Sequence, residues 1–176
     1  SFEVEEEEYG NAVLSRFPLH TVQAGPLPGA DQREHWEPRG ALWVQAEVDG
    51  RRVHIINTHL GLRHKERQMQ IDHLLSGDWV QSLEPDEALI FMGDLNSYPG
   101  SYVYKRLAER FKDVQKECEG HARKTWFSRF PIFRIDHIFV NQYCTVAHVE
   151  VGRHRRTRRA SDHLPLIADL ELVTVH

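Results

Sequence analysis

The stretch Leu89-Ile90-Phe91-Met92-Gly93-Asp94-Leu95-Asn96-Ser97 decides how the rest of the chain is interpreted. Four apolar residues run without alternation into Gly93, which is typical of a short strand buried on both faces. The strand leads into Asp94 and Asn96, and residues two apart in an extended segment point to the same side. Both side chains can therefore face one pocket at the carboxyl end of the strand, where open α/β sheets place their ligand sites. A turn is the alternative, because Gly-Asp, Asn-Ser and Pro-Gly pairs are all turn formers.

Length, composition and charge indicate one globular domain. A chain of 176 residues can bury a sizeable core, and 40% hydrophobic with 27% charged residues is ordinary for a globular protein. The net charge of −4 argues against a general nucleic-acid-binding protein but permits a local basic site. No stretch approaches the roughly 20 apolar residues that span a bilayer. Cys118 and Cys144 match neither a disulfide scaffold nor a zinc site, so we expect a reducing, cytoplasmic setting.

Strand patterns precede the central stretch. Residues 9–16 are predicted as a strand that Pro18 ends, residues 19–23 as a second short strand, and residues 24–38, with three prolines and two glycines, as a long loop. The alternation from Leu42 to Val48 predicts the next strand. Asp49-Gly50 then predicts a hairpin turn, and residues 53–58 the returning strand.

Helix and strand patterns fill the remainder of the chain. Helical spacing of apolar residues predicts helices over residues 64–80 and 101–111. Residues 113–131 are predicted as a loop that carries an aromatic cluster at Trp126, Phe127 and Phe130. Three more strands are predicted at residues 135–140, 145–151 and 164–172.

Polar residues stand at four predicted strand ends: His59, the pair Asp94 and Asn96, Asp136, and the pair Asp162 and His163. Each has a purely structural explanation, such as a core histidine, an Asp136–Arg134 ion pair or a turn at Asp162. Their repetition favours a shared site, because strand ends on one side of a sheet converge. Carboxylates suit Mg²⁺ or Mn²⁺, and a histidine held by a carboxylate can move a proton. The set predicts metal-dependent hydrolysis of phosphoester bonds.

The same motifs, in their order along the chain, resemble a known family. They are Gly-Asn-Ala-Val-Leu-Ser-Arg (10–16), Pro-Arg-Gly-Ala-Leu (38–42), Asn-Thr-His-Leu (57–60), Arg67 to Gln70, Gly-Asp-Leu-Asn (93–96), Arg-Ile-Asp-His-Ile-Phe (134–139) and Ser-Asp-His-Leu-Pro-Leu (161–166). Between residues 9 and 172 the chain resembles the endonuclease/exonuclease/phosphatase superfamily. The resemblance implies the deoxyribonuclease-I-like α/β fold, a four-layer α/β/β/α sandwich of two packed sheets.

The resemblance also implies roles for individual residues. His59 would contact the scissile phosphate, while Asp94 and Asn96 would position or activate the attacking water. His163 would be the catalytic histidine, oriented by Asp136. Asp162 and Asp94 would bind the metal cofactor, Mg²⁺ or Mn²⁺. Arg39 would bind the substrate.

One departure from the family pattern concerns the metal. Family members begin with a strand carrying an asparagine and a strand ending in Gln-Glu, whose glutamate is the main metal ligand. The sequence shows neither, and Glu5 to Glu8 follow no buried apolar strand. We therefore expect residues 1–176 to form a single but N-terminally incomplete domain, with a weakened metal site and low activity on its own. Unpaired sheet edges would favour self-association.

The substrate is left open by the family, whose members act on nucleic acids, lipid headgroups or small phosphodiesters. The arginine run at residues 153–159 precedes His163, and we expect Arg155, Arg156 and Arg158 to contact substrate phosphate. A solvated charged turn is the alternative. Trp126 and Phe127 would either stack on a base or cover the core. The rival functions are a non-catalytic module that binds a phosphorylated partner and a phosphomonoesterase.

Overall fold

The computed structural model describes residues 10–29, 38–84, 86–117 and 123–173. Several residues discussed above lie outside these ranges, namely residues 5–8, Tyr9, residues 30–37 of the predicted loop and Cys118.

Six strands form the larger sheet: β1 (Leu19–Pro26), β2 (Gly40–Val48), β3 (Arg51–His59), β4 (Ala88–Asp94), β5 (Lys112–Asp113) and β6 (Asp136–Val140). Their order across the sheet is β1-β2-β3-β4-β6-β5. Strands β3 and β4 are parallel, and each other neighbouring pair is antiparallel. A second, two-stranded antiparallel sheet consists of β7 (Cys144–Val151) and β8 (Leu166–Leu172).

Two apolar cores hold these layers together. Helices α1 (His64–Leu74) and α2 (Tyr102–Ala108) pack on one face of the larger sheet through a cluster that includes Ile56, Leu74, Phe91 and Leu107. The other face packs against the two-stranded sheet through a cluster around Val53, Val140 and Val149. The predicted α/β class with two packed sheets is therefore confirmed. Strand β4 lies between β3 and β6 and contributes Leu89 and Phe91 to one core and Ala88 to the other, which explains its unbroken apolar run.

The predicted hairpin is confirmed at Asp49 and Gly50, whose φ angles of 51° and 73° are both positive. Two positive φ angles define the type I′ turn, whose twist matches that of the flanking strands. Strands β2 and β3 pair from Val48↔Arg51 to Ala41↔Thr58, and this register carries His59 to the end of the sheet.

Three sequence predictions need correction. Residues 10–16 form no strand, because side-chain hydrogen bonds rather than a strand ladder hold them: Asn11 Nδ2 donates to Gly40 O at 2.7 Å, and Asn57 Nδ2 donates to Ala12 O at 3.0 Å. The helix predicted over 64–80 ends at Leu74, where Ser76 Oγ donates to His73 O at 2.7 Å and competes with the helical pattern. Residues 113–131 are not all loop.

The predicted loop at residues 113–131 contains short elements. Asp113 ends β5, and helix α3 (Val114–Glu117) follows it directly. Buried Asp113 forms an ion pair with buried Arg134, and this contact fixes the segment against β6.

Within the described ranges, no helix has the length and apolar character needed to cross a membrane.

Candidate active site

The register of three neighbouring strands places three predicted site residues in one row. His59 at the end of β3 is the partner of Asp94 at the end of β4, and Asp94 is the partner of Asp136 at the start of β6. Because β6 runs antiparallel to β4, its first residue lies at the same edge of the sheet as the last residue of β4. His163 joins this row from the segment before β8, where it forms an isolated bridge with Trp126.

His163 and Asp136 form the hydrogen-bonded pair that the sequence predicts. Nδ1–H of His163 donates to Oδ2 of Asp136 at 2.8 Å, which leaves Nε2 of the ring 3.7 Å from Oδ2 of Asp94. Thr125 Oγ1 donates to the same Asp136 oxygen at 2.5 Å, so the carboxylate is held from two sides. Thr125 has no signal in the sequence, because it lies in the segment predicted as loop.

The charges of the row shift two pKa values. The hydrogen bond to Asp136 raises the pKa of His163, and the negative charges of Asp136, Asp94 and Asp162 add to this, while burial opposes it. Burial is the largest cause that raises the pKa of Asp94, and Asp136 adds to it. The backbone N–H of Asn96, which donates to Asp94 Oδ1 at 2.8 Å, acts in the opposite direction, as do His59 and His163.

We expect Asp136→Asn to lower the pKa of His163, because the variant removes the carboxylate that is the main cause of the upward shift. NMR titration of the histidine ring signals, with a chelator present, would measure the change. Because the pKa of His163 is higher in the folded than in the unfolded protein, the pair stabilises the folded state at pH values below the ordinary histidine pKa. This stabilisation is lost as the pH rises through the raised pKa of the folded state. The variant should therefore lose more stability at acidic than at alkaline pH.

Asp169→Asn on β8 is the matched control, since Asp169 is exposed and is none of the groups that shift His163. It should leave the titration of His163 unchanged. An unchanged His163 titration in Asp136→Asn would contradict the assignment of the pair.

His59 has a defined tautomer. Its Nδ1 lies 3.0 Å from Nη1 of Arg39, and because a guanidinium can only donate, Nδ1 accepts and the proton resides on Nε2. Nε2–H faces Asp94 Oδ2 at 3.4 Å. The amide nitrogen of Asn96, 3.2 Å from Nε2, donates to Leu60 O at 2.8 Å. Arg39, predicted as a substrate-binding residue, therefore lies at the site in contact with His59.

These side chains line a cleft of about 690 Å³. Its walls are formed by Arg39, His59, Leu62, Asp94, Asn96, Trp126, Phe133, Ile135, Asp136, Asp162 and His163. A more apolar cavity of about 480 Å³ adjoins the cleft and shares Asp94, Asp136 and His163 with it. All five residues predicted as catalytic therefore meet at one concave surface.

Asp162 lies at the rim of the cleft. Its side chain is exposed and accepts a hydrogen bond from Trp126 Nε1 at 3.2 Å. Single ligand atoms of Asp94, Asp136 and His163 lie within 4.8 Å of one another, and Asp162 is not part of that group. The two carboxylates of this cluster are of the ligand type that Mg²⁺ prefers.

The donor set fits a divalent ion in part. Asp136 Oδ2 is already engaged by His163 and Thr125, so Asp94 supplies the oxygen ligand of the cluster, and Asp162 offers a further carboxylate on the same cleft. Mg²⁺ is usually held through one or two carboxylates. A cation there would also offset the repulsion between Asp94 and Asp136, which contributes to the raised pKa of Asp94.

The arginine run lies outside the cleft. Arg155, Arg156 and Arg158 are exposed, in and just before helix α4 (Thr157–Ala160), and none of them lines either cavity. Thr157 and Ala160 from the same segment do line the adjoining cavity. The sequence therefore located this segment near the site, but the structure does not place its guanidinium groups among the site residues.

Comparisons with known proteins identify the family of the chain. Residues 3–163 match the model of the Endonuclease/Exonuclease/phosphatase family. The chain is 30% identical over 172 residues to the uncharacterized protein YbhP of Escherichia coli K12, which covers 95% of this chain and 64% of YbhP. The chain thus spans just under two thirds of the length of the curated relatives it matches.

Solved structures show the same fold. An endonuclease/exonuclease/phosphatase from Beutenbergia cavernae is similar with a TM-score of 0.74 and 22% identity, over 90% of this chain and 46% of that one. A mannosyl-6-phosphatase from Bacteroides thetaiotaomicron is similar with a TM-score of 0.70 and 20% identity, over 88% and 67%. From the family match over most of its length, together with this fold, the chain belongs to the endonuclease/exonuclease/phosphatase family.

Proposed function

We propose that this chain carries the active site of a divalent-metal-dependent hydrolase of phosphoester bonds, with phosphodiesters as its preferred substrates. Members of the family usually hydrolyse phosphoester bonds, and they generally depend on a divalent metal. The single observation that supports the proposal best is the hydrogen-bonded pair of His163 and Asp136, whose free ring nitrogen faces Asp94 in the cleft.

The proton-moving group in this proposal is His163. Asp136 accepts the hydrogen bond from Nδ1–H and thereby orients the ring, so that Nε2 is the atom that exchanges a proton with substrate or water. The charge of Asp136 also stabilises the protonated ring, in agreement with the raised pKa. Asp94 and Asn96 lie opposite, where they would position the attacking water.

In the same proposal, His59 binds the phosphate. With Nδ1 accepting from Arg39, Nε2–H of His59 is a fixed donor toward a non-bridging phosphate oxygen. Asp94 and Asp162 are the residues that would hold the metal ion. When bound, such an ion polarises the phosphate and stabilises charge on the leaving oxygen.

A substrate panel tests the proposal. The chain is freed of metal with a chelator, then assayed with bis(p-nitrophenyl) phosphate and with p-nitrophenyl phosphate, before and after addition of Mg²⁺ or Mn²⁺. We expect slow, metal-dependent hydrolysis, because the metal site of this chain is expected to be weakened, with the diester as the better substrate. Preference for the monoester would favour a phosphomonoesterase, and no hydrolysis of either would favour a phosphate-binding module. His148→Ala, an exposed histidine on β7, is the control that should retain activity.

A further inference from the structure

A loop beside the cleft exposes a group of large apolar side chains. We call residues 126–133 the aromatic loop. Phe130 is 80% exposed and Ile132 50%, and Phe127 and Phe133 are each a little under half exposed. Contiguous exposed apolar side chains in a folded protein commonly mark an interaction surface.

Backbone hydrogen bonds hold the aromatic loop in position. The N–H groups of Ile132 and Phe133 donate to Trp126 O at 2.8 and 2.7 Å, and Trp126 N–H donates to Phe133 O at 3.1 Å. Ser128 N–H donates to Asp162 O at 2.7 Å, which attaches the loop to the segment that carries His163. The apolar tip around Phe130 is therefore presented on a bonded frame.

The aromatic loop adjoins the arginine segment, which we define as residues 153–159. Its arginines, Arg153, Arg155, Arg156, Arg158 and Arg159, are all exposed. Ser128 Oγ donates to Arg158 O at 3.5 Å, so the two segments meet at Ser128. Residues 123–135 and 151–161 contain no aspartate or glutamate, although the chain as a whole has a net charge of −4. Exposed Asp162 follows the second range and accepts a hydrogen bond from Trp126, so the five exposed arginines outnumber the carboxylates at this surface.

We propose that the aromatic loop and the arginine segment bind the surface of an anionic lipid bilayer. In this arrangement the apolar tip enters the interface and the arginines contact lipid phosphates. Trp126 and Phe133 of the loop also line the cleft beside Asp162 and His163, so the membrane-facing surface opens onto the catalytic side chains. The inference deepens the proposed function, because it places the substrate phosphoester in a lipid headgroup.

The apolar composition favours a lipid surface over single-stranded nucleic acid. Nucleic-acid sites of this kind present aromatic faces on which bases stack. Here Trp126 and Phe127 stack on each other with ring centroids 3.6 Å apart, so each covers one face of its neighbour. Pro131 and Ile132 have no aromatic ring. An apolar tip with flanking arginines matches the requirements of an anionic membrane interface instead.

Co-sedimentation with vesicles tests the inference without relying on turnover. The chain, with a chelator present, is mixed with vesicles of phosphatidylcholine alone or of phosphatidylcholine with phosphatidylglycerol. We expect binding to the anionic vesicles only. Phe130→Ser should weaken that binding about tenfold, since an inserted phenyl group is lost. Arg155→Gln with Arg156→Gln should weaken it about fivefold for each arginine, and more salt should reproduce that loss.

Matched controls separate this surface from general effects of charge or hydrophobicity. Val22→Ser removes an exposed apolar side chain from edge strand β1, and Lys105→Gln with Lys112→Gln removes two charges elsewhere. Both should bind vesicles like the unmodified chain. Phe130→Ser should also hydrolyse bis(p-nitrophenyl) phosphate at the unmodified rate, so loss of vesicle binding would not reflect unfolding.

Two results with vesicles would overturn the inference. One is equal binding to neutral and anionic vesicles, or no binding to either. The other is anionic vesicle binding that Phe130→Ser and the double arginine variant leave unchanged. If the same variants instead weaken binding of a fluorescent oligothymidine, the surface is a nucleic-acid site and the lipid assignment is wrong. Vesicle binding without hydrolysis of any phosphoester would overturn the proposed function alone.

Discussion

Replacing His163 by alanine should lower kcat for bis(p-nitrophenyl) phosphate by at least about a hundredfold, the usual contribution of a general acid or base. The ring is the group that connects Asp136 to the cleft: Nδ1 is bonded to the carboxylate and Nε2 faces Asp94. Without it, no other described side chain bonded to Asp136 can exchange a proton near neutral pH, since Thr125 contributes only a hydroxyl. Steady-state kinetics at saturating metal would measure the effect.

The pattern of kinetic change distinguishes chemistry from binding. Loss of a proton-transfer group should reduce kcat and kcat/KM together and leave KM nearly unchanged. His148→Ala provides the matched control, because that imidazole lies on β7 and is more than half exposed. Near-normal kcat in His163→Ala would assign the proton transfer to another group, with Asp94 as the next candidate because burial raises its pKa.

Three side chains of the site were predictable from the sequence because each one adjoins an apolar run. His59, Asp94 and Asp136 interrupt strand patterns at a polar position, and such interruptions are visible without a structure. Their register was not predictable. The row His59↔Asp94↔Asp136 depends on a parallel pairing followed by an antiparallel one, and both are set by contacts far apart in the chain.

The ion pair of Arg134 illustrates what a sequence cannot resolve. Arg134 is only two residues from Asp136, and an ion pair between them is a reasonable expectation. The structure instead pairs Arg134 with Asp113, which also accepts a hydrogen bond from Tyr104 OH at 2.6 Å. Successive side chains on a strand alternate in direction, but which carboxylate meets the buried guanidinium depends on tertiary packing. Asp136 is thereby left to His163.

The strand wrongly predicted before Pro18 has a related explanation. Residues 10–16 carry three apolar residues in succession before Pro18, yet Leu14 is 97% exposed and the segment is attached through side-chain amides. A strand needs a ladder partner as well as a suitable pattern, and the pattern alone carries no information on the partner. The predicted strands at 42–48, 53–58 and 135–140 each have such a partner and are confirmed.

Gly93→Ala should destabilise the protein by about 3 kcal/mol or more, because two independent costs coincide at this position. Gly93 has a φ of 144°, a region that residues with a side chain rarely adopt. A Cβ atom there would lie 1.8 Å from the carbonyl oxygen of Thr58 on the neighbouring strand. Relief of that overlap requires β3 and β4 to separate where His59 pairs with Asp94, so we also expect reduced activity in any folded fraction.

Urea unfolding followed by tryptophan fluorescence would measure the change, since buried Trp43 and Trp79 report on the core that contacts this sheet. Gly25→Ala is the control: it lies on edge strand β1 and has no atom within 4 Å of the added Cβ, so its stability should change by less than about 0.5 kcal/mol. If Gly93→Ala were as stable as Gly25→Ala, the backbones of β3 and β4 could not approach as closely as the structure indicates. The row that brings His59 to Asp94 would then need a different register.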